Sequence, residues 1–237
     1  MTLRIAPPEG DTLRMQLNQR FDVESGESVE VVSGEMRVWT HAIVMHRSRG
    51  FTDLLSVTDS VRVFPAGSTL IPLREAQRAL EGRTVRLRVD DNGGIMVGSG
   101  PGSQFEGAPT MPSMLPEQPV AVGDSWTRNM SVPLSATGTT TANVRARFRL
   151  DSLTGHGAVA YISFRGAVMH DHAQDGGGAT GRSTGVLAGS MEVDRRLKWI
   201  TASEMTVNVI STMQQIGRPE VHSRIRITQS LRALVGN

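Results

Sequence analysis

The sequence predicts a mainly all-β protein, a curled antiparallel sheet or open barrel of about ten to twelve strands with one principal helix. Three observations lead there. Apolar side chains recur at period 2 through most of the 237 residues, and such alternation marks a strand buried on one face. Clusters of Gly, Asp and Ser interrupt these runs where turns are needed. Only residues 72–81 carry helical spacing. A chain of this length buries roughly 70 % of its unfolded surface, so one β-rich domain over 1–237 accommodates it without division.

Leu13, Met15, Leu17, Phe21 and Val23 alternate with Arg14, Gln16, Asn18, Arg20 and Asp22, a half-buried first strand whose apolar face is broken at Gln19. A turn at 25–28 leads from Val29 into a long second strand. There Met36, Val38, Ala42 and Val44 face one way and Trp39, Ile43 and Met45 the other. Apolar on both faces, this strand belongs in the middle of the sheet or under cover on each side. The chain turns at Ser48-Arg49-Gly50 and continues through Phe51, Leu55, Val57, Val61 and Val63.

In the helical segment Leu73, Ala76 and Leu80 share a face, Pro72 suits the first turn and Gly82 the C-terminal cap. Its expected task is to cover one face of the sheet. Val85, Leu87 and Val89 then run into Asp90-Asp91-Asn92-Gly93-Gly94, a hairpin turn with 95–97 returning.

Residues 99–119 form a Gly/Pro/Met-rich connection between two β-rich halves, with Phe105, Met111, Met114 and Leu115 as its apolar members. Connections of this length without structure of their own are usually mobile or functional. Methionine adapts to irregular surfaces, so the segment is a candidate partner-binding surface. Packing on the protein's own core is the competing reading.

At the end of that connection, Pro116 and Pro119 favour extended backbone. Val120-Ala121-Val122 then reads as a short strand, Gly123-Asp124 as a turn, and Trp126 as a large apolar anchor dropped into the core. The run Pro119-Val120-Ala121-Val122-Gly123-Asp124-Ser125-Trp126-Thr127, preceded by Leu115-Pro116, resembles the mid-chain signature of an uncharacterised bacterial family of β-rich proteins, usually exported or lipid-anchored. The opening Leu3-Arg4-Ile5-Ala6-Pro7-Pro8-Glu9-Gly10-Asp11-Thr12 resembles the start of the same domain. The resemblance implies a curled antiparallel sheet akin to the bacterial lipoprotein carriers, and no catalytic residue.

The second half repeats the β pattern. Ala142, Val144, Ala146, Phe148 and Leu150 alternate with Asn143, Arg145, Arg147 and Arg149. Val159, Tyr161, Ile162, Phe164, Val168 and Met169 supply the next strand, and 186–193, 205–210 and 221–234 complete the set. The last of these sets Val221, Ile225, Ile227 and Leu231 against His222, Arg224, Arg226 and Arg232. The two halves suggest a pseudo-repeat, without residue-level self-similarity.

Candidate chemistry is sparse. His170-Asp171-His172 with Asp175 offers metal-ligand types, but the segment runs into Gly176-Gly177-Gly178 and no distant partner completes a set. His41 and His46 lie on opposite faces of their strand. The glycine run lacks the Lys-Ser or Lys-Thr of a phosphate loop, and Val97-Gly98-Ser99-Gly100 precedes Pro101 rather than a helix. No serine sits in a nucleophile elbow. The arginine rows Arg145, Arg147, Arg149 and Arg224, Arg226, Arg232 can meet carboxylates or lipid phosphates; a solvated outer face is the plainer reading.

A net charge of +2, from 25 basic and 23 acidic residues, argues against a nucleic-acid binder with a dominant basic face. Lys198 is the single lysine, and the absence of cysteine removes disulfides, thiolate metal sites and cysteine nucleophiles. No segment has the roughly 18 consecutive apolar residues of a membrane span, and the first residues lack a signal-peptide core. With Met1 as natural initiator the protein is expected in the cytoplasm or on the cytoplasmic membrane face; with a signal removed, in the periplasm.

The expected function is therefore that of a non-catalytic, cofactor-free accessory subunit docking on a larger assembly, such as a membrane-embedded respiratory or photosynthetic complex. Phe105, Met111, Met114, Arg145, Arg147 and Arg149 are the candidate partner-binding residues. The alternative is a carrier that holds an apolar or lipid ligand in the concave face of the sheet.

Overall fold

The period-2 alternation becomes eleven strands. A computed structural model describes residues 1–25, 30–66, 70–98, 113–133, 141–172, 179–215 and 220–234. The strands are β1 (Thr12–Ser25), β2 (Glu30–Ser48), β3 (Phe51–Ala66), β4 (Thr84–Asp90), β5 (Ile95–Gly98), β6 (Ser125–Pro133), β7 (Thr141–Thr154), β8 (Val159–His172), β9 (Ala179–Asp194), β10 (Trp199–Gln215) and β11 (Val221–Ala233), with one helix, α1 (Leu70–Leu80), between β3 and β4. Every pairing is antiparallel.

The order is β5-β4-β3-β2-β1-β11-β10-β9-β8-β7-β6. Two up-and-down meanders, β1 to β5 and β6 to β11, are thus fused where β1 pairs with β11 from Met15↔Ala233 to Ser25↔Ser223. The short β5 and the longer β6 end the sheet without pairing to each other, so it curls and stays open.

The inner face holds the core. Phe148, Leu150, Ile162, Leu187, Met191 and Ile227 are all at most 1 % exposed. Phe148 stacks on Trp126 at 5.9 Å and meets Phe164 at 5.2 Å with the rings tilted by 32°. In β9 two inward positions are glycine. A Cβ on Gly185 would stand 2.1 Å from the Asn208 carbonyl oxygen, and one on Gly189 2.2 Å from that of Glu204. The β9 and β10 backbones approach more closely than a side chain allows, and the Phe164 ring lies over the space left at Gly189.

Residues 1–8, to which the sequence reading gives no packing role, tie together one end of the sheet. Leu3, Ile5 and Ala6 are fully buried. Ile5 N–H donates to the Asp91 carbonyl in the β4–β5 turn and Ala6 N–H to that of Lys198 in the β9–β10 turn. The Met1 amine donates to the Val120 carbonyl at 2.6 Å, and Val120 N–H donates back to Met1.

Three expectations need correction, and β3 adds an irregularity that no expectation covered. Residues 120–122 form no strand, because Val120 uses its backbone groups on Met1 and Val122 stands 53 % exposed. Helix α1 is tied to an edge of the sheet rather than laid over a face. β4 pairs with β3 only over residues 51–57, and beyond it Gln77 Nε2 donates to the Val61 carbonyl and Gly82 N–H to that of Thr58, which occupies two carbonyls of that edge. Within β3, an irregularity at Asp59 shifts the phase, so that Thr52, Leu54 and Ser56 are buried before it and Val61 after it. Met114 and Leu115 turn towards the core: Leu115 is completely buried and Met114 packs against the same cluster. Phe105 and Met111 lie outside the described residues.

The expected turn at Gly123 is present, with φ at 96° and Asp124 N–H donating to the Ala121 carbonyl. It delivers Trp126 onto Phe148, and Trp126 Nε1 donates to the Met114 carbonyl at 2.8 Å. Arg128 grips the Leu115 carbonyl through Nε and Nη2 at 3.2 and 2.8 Å. On the other side, Met114 and Leu115 N–H groups donate to the Asn92 carbonyl, and Ser113 Oγ donates to Asp90 at 2.5 Å. Residues 113–115 therefore bridge the β4–β5 turn and β6, the two ends of the open sheet. Among the described residues no helix is long and apolar enough to cross a membrane.

Candidate protein-docking face

Alternation that buries Val144, Ala146 and Phe148 sends Arg145, Arg147 and Arg149 to the outer face of β7, where all three are exposed. The register of β7 with β8 adds a fourth: Arg165 stands directly opposite Arg147. On the other side of β7, Ser125, Thr127 and Asn129 of β6 face Arg149, Arg147 and Arg145. Arg149 lies 3.9 Å from Asp151, and Arg147 Nη2 lies 3.4 Å from Ser125 Oγ.

Beside these arginines the outer face turns apolar. Met169 on β8, Val186 on β9 and Ile210 on β10 are 68, 56 and 51 % exposed. Met169 is paired with Thr184, and Thr184 with Ile210, while Val186 is one outward position along β9. They therefore form one stripe across three neighbouring strands. Beyond it, Arg226 and Arg224 on β11 are opposite Asp22 and Glu24 on β1. An open groove of about 920 Å³ runs between Val186 and Ile210 and these charged residues.

The N-terminal half uses its arginines differently. Arg37 lies over the Phe64 ring at 4.7 Å, Arg62 over Trp39 at 5.4 Å and Arg88 over Phe51 at 4.1 Å. Arg88 also donates to both carboxylate oxygens of Asp53, at 2.7 and 3.0 Å, and these bonds hold its guanidinium above its ordinary pKa. These guanidiniums are committed to rings and carboxylates of their own half.

The other sequence candidates do not converge. His41 Nδ1 meets Asp59 at 2.6 Å, whereas His46 lies 3.6 Å from Glu9. His170–His172 forms the end of β8, but its side chains, like Gly176–Gly178, fall outside the described residues. Arg232 is separated from Arg224 and Arg226 and lies 4.0 Å from Glu204. Among the described residues no group of three metal-ligating side chains comes together.

Arg165, Met169, Val186 and Ile210 were not singled out from sequence, although a signal exists. Val168-Met169, Val186-Leu187 and Val209-Ile210 are adjacent apolar doublets in three neighbouring strands. In a strand, one member of such a doublet must face outward. No protein-family model matches this chain, and no curated protein matches it. The assignment of the face therefore rests on its geometry.

Proposed function

We propose that the protein is a non-catalytic accessory subunit that docks on a larger protein assembly through the outer face of β7 to β10. The observation that carries this reading is the exposed stripe Met169, Val186 and Ile210 on adjacent strands, bordered by arginines. An apolar centre with a charged rim is how stable protein interfaces are built. The carrier alternative needs free apolar volume on the inner face, where Phe148, Leu150, Ile162 and Leu187 are closely packed among the protein's own side chains. An assembly embedded in a membrane fits the proposal, with the subunit on its cytoplasmic surface or, after export, its periplasmic one.

Affinity purification from the native host, with mass spectrometry of proteins and lipids, tests this. The wild-type chain is expected to retain a stoichiometric protein partner that the Met169→Ser, Val186→Ser, Ile210→Ser variant loses at unchanged melting temperature. Recovery of lipid alone, or equal capture by both chains, contradicts docking through this face.

A further inference from the structure

We infer that the arginine row is a groove for an extended, carboxylate-rich segment of the partner protein, an inference that deepens the docking proposal and rests on it. Two adjoining depressions, of about 570 and 450 Å³, share Arg147 and Arg165. The first also takes in Arg145 and the second Arg149, so together they follow β7 from Arg145 to Arg149.

Three features select the occupant. Arg145, Arg147 and Arg149 recur at every second residue, which spaces them about 6.8 Å apart. An extended peptide lying along β7 presents alternate side chains at that same repeat, so carboxylates at every second position meet successive guanidiniums in forked, charge-assisted pairs. Beneath them, Ala167, Ala188 and Val186 give the first depression an apolar side that accommodates the intervening residues. The surface is grooved, which suits a chain segment better than a planar bilayer.

The pairing of Arg147 with Arg165 is the strongest sign. Like charges directly opposite each other in a sheet destabilise it, and the ion pair that the described residues contribute to this row, Arg149 with Asp151, lies at its end at 3.9 Å. An acidic segment between the two guanidiniums converts that repulsion into attraction.

The test is fluorescence anisotropy with a labelled octapeptide alternating Glu and Thr. The comparison probes are its isomer with the four Glu contiguous, phosphatidylserine vesicles and an oligothymidylate. The alternating peptide is expected to bind about tenfold more tightly than its isomer, and Arg147→Gln, Arg165→Gln to weaken it by about tenfold or more. Arg83→Gln, Arg86→Gln, exposed in the other half of the sheet, should leave affinity nearly unchanged. Arg165→Glu should abolish binding and raise the melting temperature, since it places opposite charges face to face. Equal binding of the two isomers, preference for vesicles or oligonucleotide, or a lowered melting temperature in Arg165→Glu overturns the inference. Failure of peptide binding while host-partner capture still depends on Met169, Val186 and Ile210 rejects the acidic partner alone; loss of that dependence rejects docking itself.

Discussion

Two missing methyl groups set the path of β9. At Gly185 and Gly189 the neighbouring carbonyl oxygens of β10 occupy the space that a Cβ would need, and backbone atoms cannot rotate aside as a flexible side chain does. Gly189→Ala is therefore expected to cost about 2 kcal/mol, the penalty of overpacking a closed site, read as a lower urea midpoint with an unchanged slope. Trp126 offers a milder probe. Trp126→Phe keeps the stack on Phe148 but removes the Nε1 bond to the Met114 carbonyl, a loss of about 1 kcal/mol in the same experiment. The Trp was legible as a core anchor because the Gly123-Asp124 turn precedes it. Its bond to Met114 was not, since the position of 113–115 depends on Asn92 in a different hairpin.

Among the elements, strands with uninterrupted alternation were readable and those with irregular pairing were not. β11 keeps one parity throughout and β7 keeps one as far as Leu150, where an irregularity at Asp151 brings Leu153 to the core side, so up to there their inner and outer residues follow directly from sequence. β3 changes parity at Asp59, and only its partner β2 shows where. Apolar doublets such as Val186-Leu187 do not specify which member is buried; the register with β8 and β10 decides it. The N-terminal segment has no periodicity, and its role arises from bonds to turns far along the chain. The end of the 99–119 connection is likewise structural. Leu115→Ala is expected to cost about 2 to 5 kcal/mol, as for other fully buried leucines. A melting temperature shifted by less than a degree would show that this residue is not the seam between β6 and the β4–β5 turn.

At the scale of the whole molecule, one curled sheet has two unlike faces. Its inner face carries the buried core; its outer face differs between halves, with arginines stacked on rings in one and bordering an apolar stripe in the other. The absence of cysteine makes this asymmetry directly measurable. Val186→Cys and Val97→Cys each introduce a single thiol, at sites 56 and 43 % exposed in the outer stripe and on edge strand β5. Maleimide labelling of each variant, free and in complex with the partner purified from the host, reads which surface is covered. Both thiols are expected to react in the free protein, and complex formation to slow labelling at residue 186 while leaving residue 97 unchanged. Protection at 97 with residue 186 still reactive would contradict docking through the outer face of β7 to β10.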